Sequence, residues 1–267
     1  MRPYDPPDVI TGAERPRRVG RTATVAVLAS VAGFVLGLGL VGGVYGVRAA
    51  LRRAPAAVSA RSSAPTAGGD CAWRASPGDR PGGPLPPVGS VAHTGTRTMT
   101  IHTGLGPIVV TMSVAATPCT VASFSHLAAR HFFDHSRCHR LTTKGIFVLQ
   151  CGDPTGTGSG GPGYRFPDEN LTALPVDPSA SPDAGGPVAT YRRGVVATAN
   201  AGPGTNGSQF FLVYRDSPIP ARYTPFGVVD QGMDVLDRIA AAGVSRDAGG
   251  FDGPPATPVD VVSLAVG

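Results

Sequence analysis

Ala197-Thr-Ala-Asn-Ala-Gly-Pro-Gly-Thr-Asn-Gly-Ser-Gln-Phe-Phe-Leu-Val213 is the stretch on which the fold turns. A run of β-formers over Gly194–Thr198 breaks into a Gly/Pro/Asn loop and re-enters an aromatic strand, Gln209–Val213. Thr205-Asn-Gly-Ser208 is a strong turn signal, because Asn and Gly take positive φ at little steric cost. By pattern alone the unit is strand, loop, strand. The loop is rich in amide and backbone polar groups and opens onto Phe210 and Phe211, a lining that suits an extended peptide better than a small metabolite.

More strands lie on both sides. Arg97–His102 and Pro107–Met112 read as a hairpin turned at Gly104-Leu-Gly106. Cys138–Thr142 and Ile146–Gln150 flank Thr143-Lys-Gly145, and Phe226–Val229 and Val259–Val266 complete the set. Two helices are expected. Thr117 and Pro118 supply an N-cap and a first turn ahead of Val121, Phe124, Leu127 and Ala128. The second, Gly232–Ala242, has Met233, Leu236, Ile239 and Ala240 on one face. About eight strands suit a closed barrel filled by side chains. The expected fold is therefore mainly β, an eight-stranded antiparallel closed barrel capped by two α-helices. Gly152–Gly163 reads as a Gly-rich loop and Leu171–Arg193 as an exposed insertion.

The first part of the chain is of another kind. Residues 1–22 are polar, with Arg15, Arg17, Arg18 and Arg21, and read as a disordered cytoplasmic tail. Ala23–Val47 carries no charge, and at 1.5 Å per residue such a run spans about 37 Å, enough to cross a bilayer as a helix. A cleaved signal peptide is the rival, with Val58-Ser-Ala60 as its small-residue site, but the apolar run exceeds the usual h-region of roughly 7–15 residues. Residues 48–95 are rich in Pro, Gly and Ala and read as a tether, with Cys71 and Trp73 as the part that docks on the domain after it.

Charge and cysteine placement narrow the setting. Nine arginines face three acidic residues before residue 62, whereas the remainder is nearly balanced, so the basicity does not argue for nucleic acid. Cys71, Cys119, Cys138 and Cys151 all follow the apolar run, with no C-x-x-C spacing. An even number in that pattern favours disulfides and hence an oxidising compartment, with four buried free thiols as the alternative. The expected localisation is the cell membrane, single-pass, with the C-terminal domain extracytoplasmic.

Generic catalytic motifs fail on context. Gly156-Thr-Gly-Ser-Gly-Gly161 matches G-x-G-x-x-G, but Pro162 and Gly163 follow where a helix should begin. There is no P-loop and no G-x-S-x-G elbow. His126, His131 and His135 read as a solvated helix end, so neither metal nor cofactor is expected. Asn170-Leu-Thr172 and Asn206-Gly-Ser208 are sequons.

What remains is a set of segments in fixed order: His139-Arg140, Phe147-Val-Leu-Gln-Cys-Gly-Asp153, Phe166-Pro-Asp-Glu-Asn170 and Ala199–Phe211. Over residues 96–267 the chain resembles the cyclophilin family of peptidyl-prolyl cis–trans isomerases, and with its N-terminal apolar run it is similar to the membrane-tethered cyclophilins of actinobacteria. The resemblance implies the barrel described above. It further implies that Arg140 is the catalytic arginine and that Gln150 holds it and contacts the substrate backbone. Phe147, Val148 and Phe211 would line the proline pocket. Asn200, between Ala199 and Ala201, would pair with the peptide backbone, and Gln209 would border a neighbouring subsite with Gly158. Where the family often has Trp-Leu and then His, this chain reads Ser217-Pro-Ile-Pro-Ala-Arg-Tyr223, which puts Pro218 at the tryptophan, Ile219 at the leucine and Tyr223 at the histidine. Val148 stands where many relatives have methionine. Loss of the tryptophan implies weak cyclosporin binding.

The chemistry fits such a site. Resonance sets a barrier of roughly 18–20 kcal/mol to rotation of a peptide bond, and uncatalysed X–Pro exchange takes tens to hundreds of seconds. No nucleophile is required. A guanidinium donor aimed at the prolyl nitrogen favours its pyramidal form, and Arg keeps its charge and its fork of donors. The expected partners are X–Pro segments of folding polypeptides, and the second reading is a tethered Pro-peptide-binding module with little turnover. Cys138 and Cys151 flank the hairpin of Cys138–Thr142 and Ile146–Cys151 and are expected to pair across it, leaving Cys71–Cys119 to tie the tether to the first helix.

Overall fold

A computed structural model describes residues 71–76, 85–87, 89, 91–177 and 186–267. The expected tail (1–22), the transmembrane span (23–47) and most of the tether lie outside them. Among the described residues no helix is long and apolar enough to cross a membrane.

The strands run in chain order from β1 (Arg74–Ala75) through the hairpin of β2 (Thr96–Thr103) and β3 (Gly106–Ser113) to helix α1 (Pro118–Ala128). Then come β4 (Ser136–Arg137), β5 (Arg140–Thr142), β6 (Val148–Cys151) and β7 (Tyr164–Arg165). The second half holds β8 (Val176–Asp177), β9 (Val188–Tyr191), β10 (Val195–Thr198), β11 (Phe210–Val213) and β12 (Ser217–Pro220). It closes with β13 (Pro225–Gln231), α2 (Met233–Ala242), β14 (Asp252–Gly253) and β15 (Asp260–Val266).

Ten of these strands form one antiparallel sheet in the order β14-β5-β6-β11-β10-β13-β3-β2-β15-β4. The expected closed eight-stranded barrel is thus corrected to an open, half-barrel sheet whose edges are β14 and β4. The reason lies in the run Ser136–Thr142, which breaks at Cys138–His139. Its first half pairs with β15, Ser136 opposite Val261, and its second with β6, Arg140 opposite Gln150. At the break the Cys138 N–H donates to Val259 O (3.0 Å) and the His139 N–H to Gln150 O (3.1 Å). The chain crosses from one side of the sheet to the other where Arg140 begins.

Strand alternation sends neighbouring side chains to opposite faces. Phe210 enters the main core, its ring 5.6 Å from that of Phe124. Phe211 points the other way, into a second cluster with Val148, Tyr191, Val213 and Ile219. This second cluster overturns the reading of Leu171–Arg193 as an exposed insertion. β9 and β8 within it pair with β12 as a three-stranded sheet, and Val188, Ala189 and Tyr191 are buried. The surrounding Gly and Pro residues conceal a strand only four residues long.

The start of α1 is also capped differently from the expectation. Thr117 occupies the N-cap position, but its hydroxyl donates to Ser113 O (2.8 Å). The Glu169 carboxylate, fifty residues along the chain, accepts from Cys119 N (2.9 Å), Thr120 N (2.8 Å) and Thr120 Oγ1 (2.7 Å). A negative group there complements the positive end of the helix.

Residues 71–76 are part of the domain. Cys71 is disulfide-bonded to Cys119, with Cα atoms 5.5 Å apart. The Trp73 ring meets Tyr164 and Phe166 edge-on at 5.6 and 5.5 Å, and β1 pairs with β7. The second disulfide joins Cys138 to Cys151.

Candidate functional site

Asp153 organises the loop beside the opening motif. Its wholly buried carboxylate accepts from Thr155 N and Oγ1 (both 2.7 Å), Gly158 N (2.6 Å) and Gly160 N (3.0 Å). Burial alone would raise its pKa, but these donors outweigh it and hold the group below its ordinary value. No side chain fits at Gly160, where a Cβ would lie 2.1 Å from Asp153 Oδ1. Gly152, at φ +88°, is equally constrained, since its Cβ would sit 2.2 Å from Ser208 O. Asp168 does the same for the Gly202–Asn206 loop, accepting from Gly204 N (2.9 Å) and Asn206 Nδ2 (2.8 Å). Asn206 is fully buried with its amide engaged, so that sequon is closed in the folded domain.

A chain of side chains runs from β14 to this loop. The Arg140 guanidinium donates from Nε and Nη2 to the two oxygens of Asp252, both at 2.7 Å, and from Nη1 to Gln150 Oε1 at 3.3 Å. Gln150 Nε2 donates to Gln209 Oε1 (2.8 Å), and Gln209 Nε2 donates to Gly158 O (3.0 Å) and Gly160 O (2.8 Å). The Asp252 hydrogen bonds push the arginine pKa up, and the same contact pulls that of Asp252 down. The ion pair fixes the plane of the guanidinium, which is charged in any case.

Arg140 and Gln150 border a pocket of about 260 Å³. Phe211 and Val148 lie within it, Ala199 and Asn200 form one edge, and Ile219, Pro220 and Tyr223 form the wall. The Tyr223 ring stands edge-on to Phe211 at 5.6 Å. Its backbone is fixed by the buried Tyr191 hydroxyl, which accepts from Tyr223 N (3.1 Å) and donates to Tyr223 O (2.8 Å). Gly158, Ala201 and Gln209 line an adjoining cavity of about 310 Å³ with Gln150, Ala199 and Asn200. Asn200 bridges the two, its Nδ2 donating to Arg222 O at 3.0 Å.

Of the residues expected to line the proline pocket, Phe147 lies elsewhere. Ile146, Val148 and Gln150 share one face, so Phe147 turns away, 6.0 Å from the Tyr214 ring and beneath the Arg215 guanidinium at 4.4 Å. Pro218, at the family's tryptophan position, is exposed on β12 and pairs with Thr190. Sequence reasoning missed Asp252, Tyr191 and Pro220. Asp252 is 112 residues from Arg140 and belongs to no local pattern. His139, beside Arg140, is half-buried with both ring nitrogens unpartnered, and burial lowers its pKa against the pull of Asp153. Among the described residues no cluster of His, Cys, Asp and Glu is suited to a metal ion.

Comparison with known proteins agrees with this geometry. The family described as cyclophilin type peptidyl-prolyl cis-trans isomerase/CLD matches residues 98–266. The chain is 48% identical over 173 residues to a probable peptidyl-prolyl cis-trans isomerase B of Mycobacterium leprae, covering 63% of this chain and 56% of that protein. It is 34% identical over 187 residues to peptidyl-prolyl cis-trans isomerase A of Mycobacterium tuberculosis, covering 64% of this chain and 92% of that one. The chain thus spans about half the length of the isomerase B relatives that it matches. Among solved structures, a cyclophilin type peptidyl-prolyl cis-trans isomerase of Cryptosporidium parvum matches with a TM-score of 0.51 at 26% identity, covering 65% of this chain and 98% of that one. The same protein in the presence of the dipeptide Ala-Pro matches with a TM-score of 0.50 at 27% identity, covering 64% and 98%. The matched residues contain Arg140, Gln150, Phe211 and the wall through Tyr223 in the arrangement described here, and the chain belongs to the cyclophilin-type peptidyl-prolyl cis–trans isomerase family.

Proposed function

We propose that the chain is an active peptidyl-prolyl cis–trans isomerase acting on X–Pro segments of folding polypeptides. The observation that carries this is the Arg140 guanidinium at the mouth of the Phe211 pocket, locked in plane by Asp252 and touching Gln150 through Nη1. A proline ring enters between Phe211, Val148 and Ile219. The extended peptide adds beside Asn200, which follows the last ladder bond of β10 with β11, Ala199 N–H to Gln209 O at 2.9 Å. The free edge of the guanidinium then faces the prolyl amide. A donor there stabilises the pyramidal nitrogen of the twisted amide more than either planar form, which is what lowers the barrier. Protein groups alone perform this step: the apolar walls hold the ring while the chain on one side rotates.

The domain works outside the cytoplasm, held at the cell membrane by the 23–47 helix. The two disulfides support that setting, since such bonds persist in oxidising compartments. An NMR exchange measurement on an X–Pro peptide, with wild type beside Arg140→Ala, tests the activity. No acceleration by wild type overturns the enzyme. Equal acceleration by both proteins overturns the role of Arg140.

A further inference from the structure

The cavity of about 310 Å³ beside the proline pocket has one wall built from the Gly-rich run between Gly158 and Arg165. One end of that run is fixed from within the domain. Gly158 N and Gly160 N donate to the Asp153 carboxylate, and their carbonyls accept from Gln209 Nε2. The other end is β7, which among the described residues has no strand partner but β1. Arg74 stands opposite Arg165 and Ala75 opposite Tyr164, and the Ser76 N–H donates to Gly163 O at 2.9 Å. The Ser76 hydroxyl accepts from Arg165 Nε at 2.9 Å. Trp73 backs the same wall, its ring edge-on to Tyr164 and Phe166. Phe166 leads on to the opposite rail of the groove, because its N–H donates to Asn206 O at 3.0 Å. Asn206 Oδ1 in turn accepts from Asn200 Nδ2 at 3.3 Å. Ordering a glycine-rich run is costly, since glycine loses more backbone freedom on folding than any other residue. The strap supplies the hydrogen bonds and the ring contacts that hold its far end.

We infer that the strap Cys71–Ser76 is part of the substrate site: Trp73 and Ser76 are positioning residues that hold the far wall of this cavity against the peptide flank next to the proline. Resting on the isomerase reading, this specifies the substrate as an extended segment whose flank crosses the cavity, rather than an isolated X–Pro pair. Gln150, Ala199 and Asn200 border both cavities, so a chain whose proline sits on Phe211 continues along Asn200 into the second one. The strap lies ahead of the family-matched residues 98–266 and supplements the pocket that they contain.

Three peptides test this: a blocked X–Pro core, the core with two glutamines added before it, and the core with two glutamines added after it. Their amides can meet the hydroxyl and amide groups of Ser159, Thr205 and Gln209 in the cavity. For wild type, extension at one flank raises kcat/KM by about two- to tenfold, the worth of one hydrogen bond. Trp73→Ala and Ser76→Ala each bring that gain towards one, through KM rather than kcat, and Trp73→Phe keeps part of it. The gain is a ratio within one sample, so partial unfolding lowers both rates and leaves it unmoved. A wild-type gain of one at both flanks, or a gain unaltered in both alanine variants, overturns the inference. Should Trp73→Ala fail to fold, Ser76→Ala decides alone. If wild type turns over none of the peptides, the isomerase reading fails by itself. Kd values by NMR titration then decide the role of the strap, an affinity gain equal in wild type and variants overturning it.

Discussion

Asp252 holds Arg140 from the side away from Gln150. Its two oxygens take the Nε and Nη2 protons at 2.7 Å each, leaving Nη1 to reach Gln150 and the pocket. In the proposed reaction Asp252 acts through Arg140, as a positioning residue. Asp252→Ala is expected to lower kcat/KM by about tenfold, since small misplacements of a catalytic group cost up to about a hundredfold. The fold should scarcely register the loss, because exposed pairs contribute about 0–1 kcal/mol. Asp252→Glu should recover part of the activity. X–Pro exchange kinetics beside urea denaturation separate the two effects, and a parallel fall in stability would contradict the positioning role.

Arg140→Ala removes the donor itself. A loss of about 100- to 1000-fold in kcat/KM is expected, comparable with removal of one oxyanion-hole donor. Circular dichroism of the variant should match that of wild type.

Tyr191 offers a test from behind the wall. Its buried hydroxyl satisfies both backbone groups of Tyr223, and burial raises its pKa above the ordinary tyrosine value. Tyr191→Phe leaves those two groups unpaired, at a cost of about 1–3 kcal/mol. The wall then loosens, so KM should rise more than kcat falls. Calorimetry and steady-state kinetics on the same sample check both halves.

His139 gives the domain an acid-side weakness. Burial depresses its folded pKa below the ordinary 6.5, so the unfolded chain binds the proton more readily. The stability tied to neutral His139 is complete above pH 6.5 and is lost as pH falls through the depressed value. Protonation would also place a second positive charge beside Arg140. His139→Gln should flatten the stability profile below pH 6.5, measured as denaturation midpoints across pH. An unchanged slope would remove His139 from the account.

Removal of its two cysteines tests the second disulfide. Cys138–Cys151 spans thirteen positions around the β5–β6 hairpin that carries Arg140 and Gln150. In the chain-entropy view a loop of about this size contributes roughly 3 kcal/mol. The double variant Cys138→Ala/Cys151→Ala should melt lower by several degrees, with faster amide exchange at Leu141 and Leu149. Both are measured on the protein with Cys71–Cys119 intact.

Much of the site is legible in the sequence because its parts are local. The family resemblance places Gln150 by the Cys-Gly-Asp after it, and Phe211 by the Asn-Gly-Ser-Gln before Phe210. Asp252 and Glu169 are not legible. Each meets its partner through folding alone, across 112 and about fifty residues, and an isolated carboxylate in a Gly-rich loop carries no signature. Tyr191 was hidden for another reason: β9 is too short for alternation to show through the Gly and Pro around it. The open sheet escapes strand counting because Ser136–Thr142 is a single stretch in sequence but serves two neighbours in space.

The strap at Cys71–Ser76 has a mechanical meaning. Tension arriving along the N-terminal chain enters the folded body at the Cys71–Cys119 bond and passes into α1, never reaching the hairpin of β2 and β3 as a peeling force. Force on the strap is therefore borne by the disulfide before it reaches the pairing of β1 with β7.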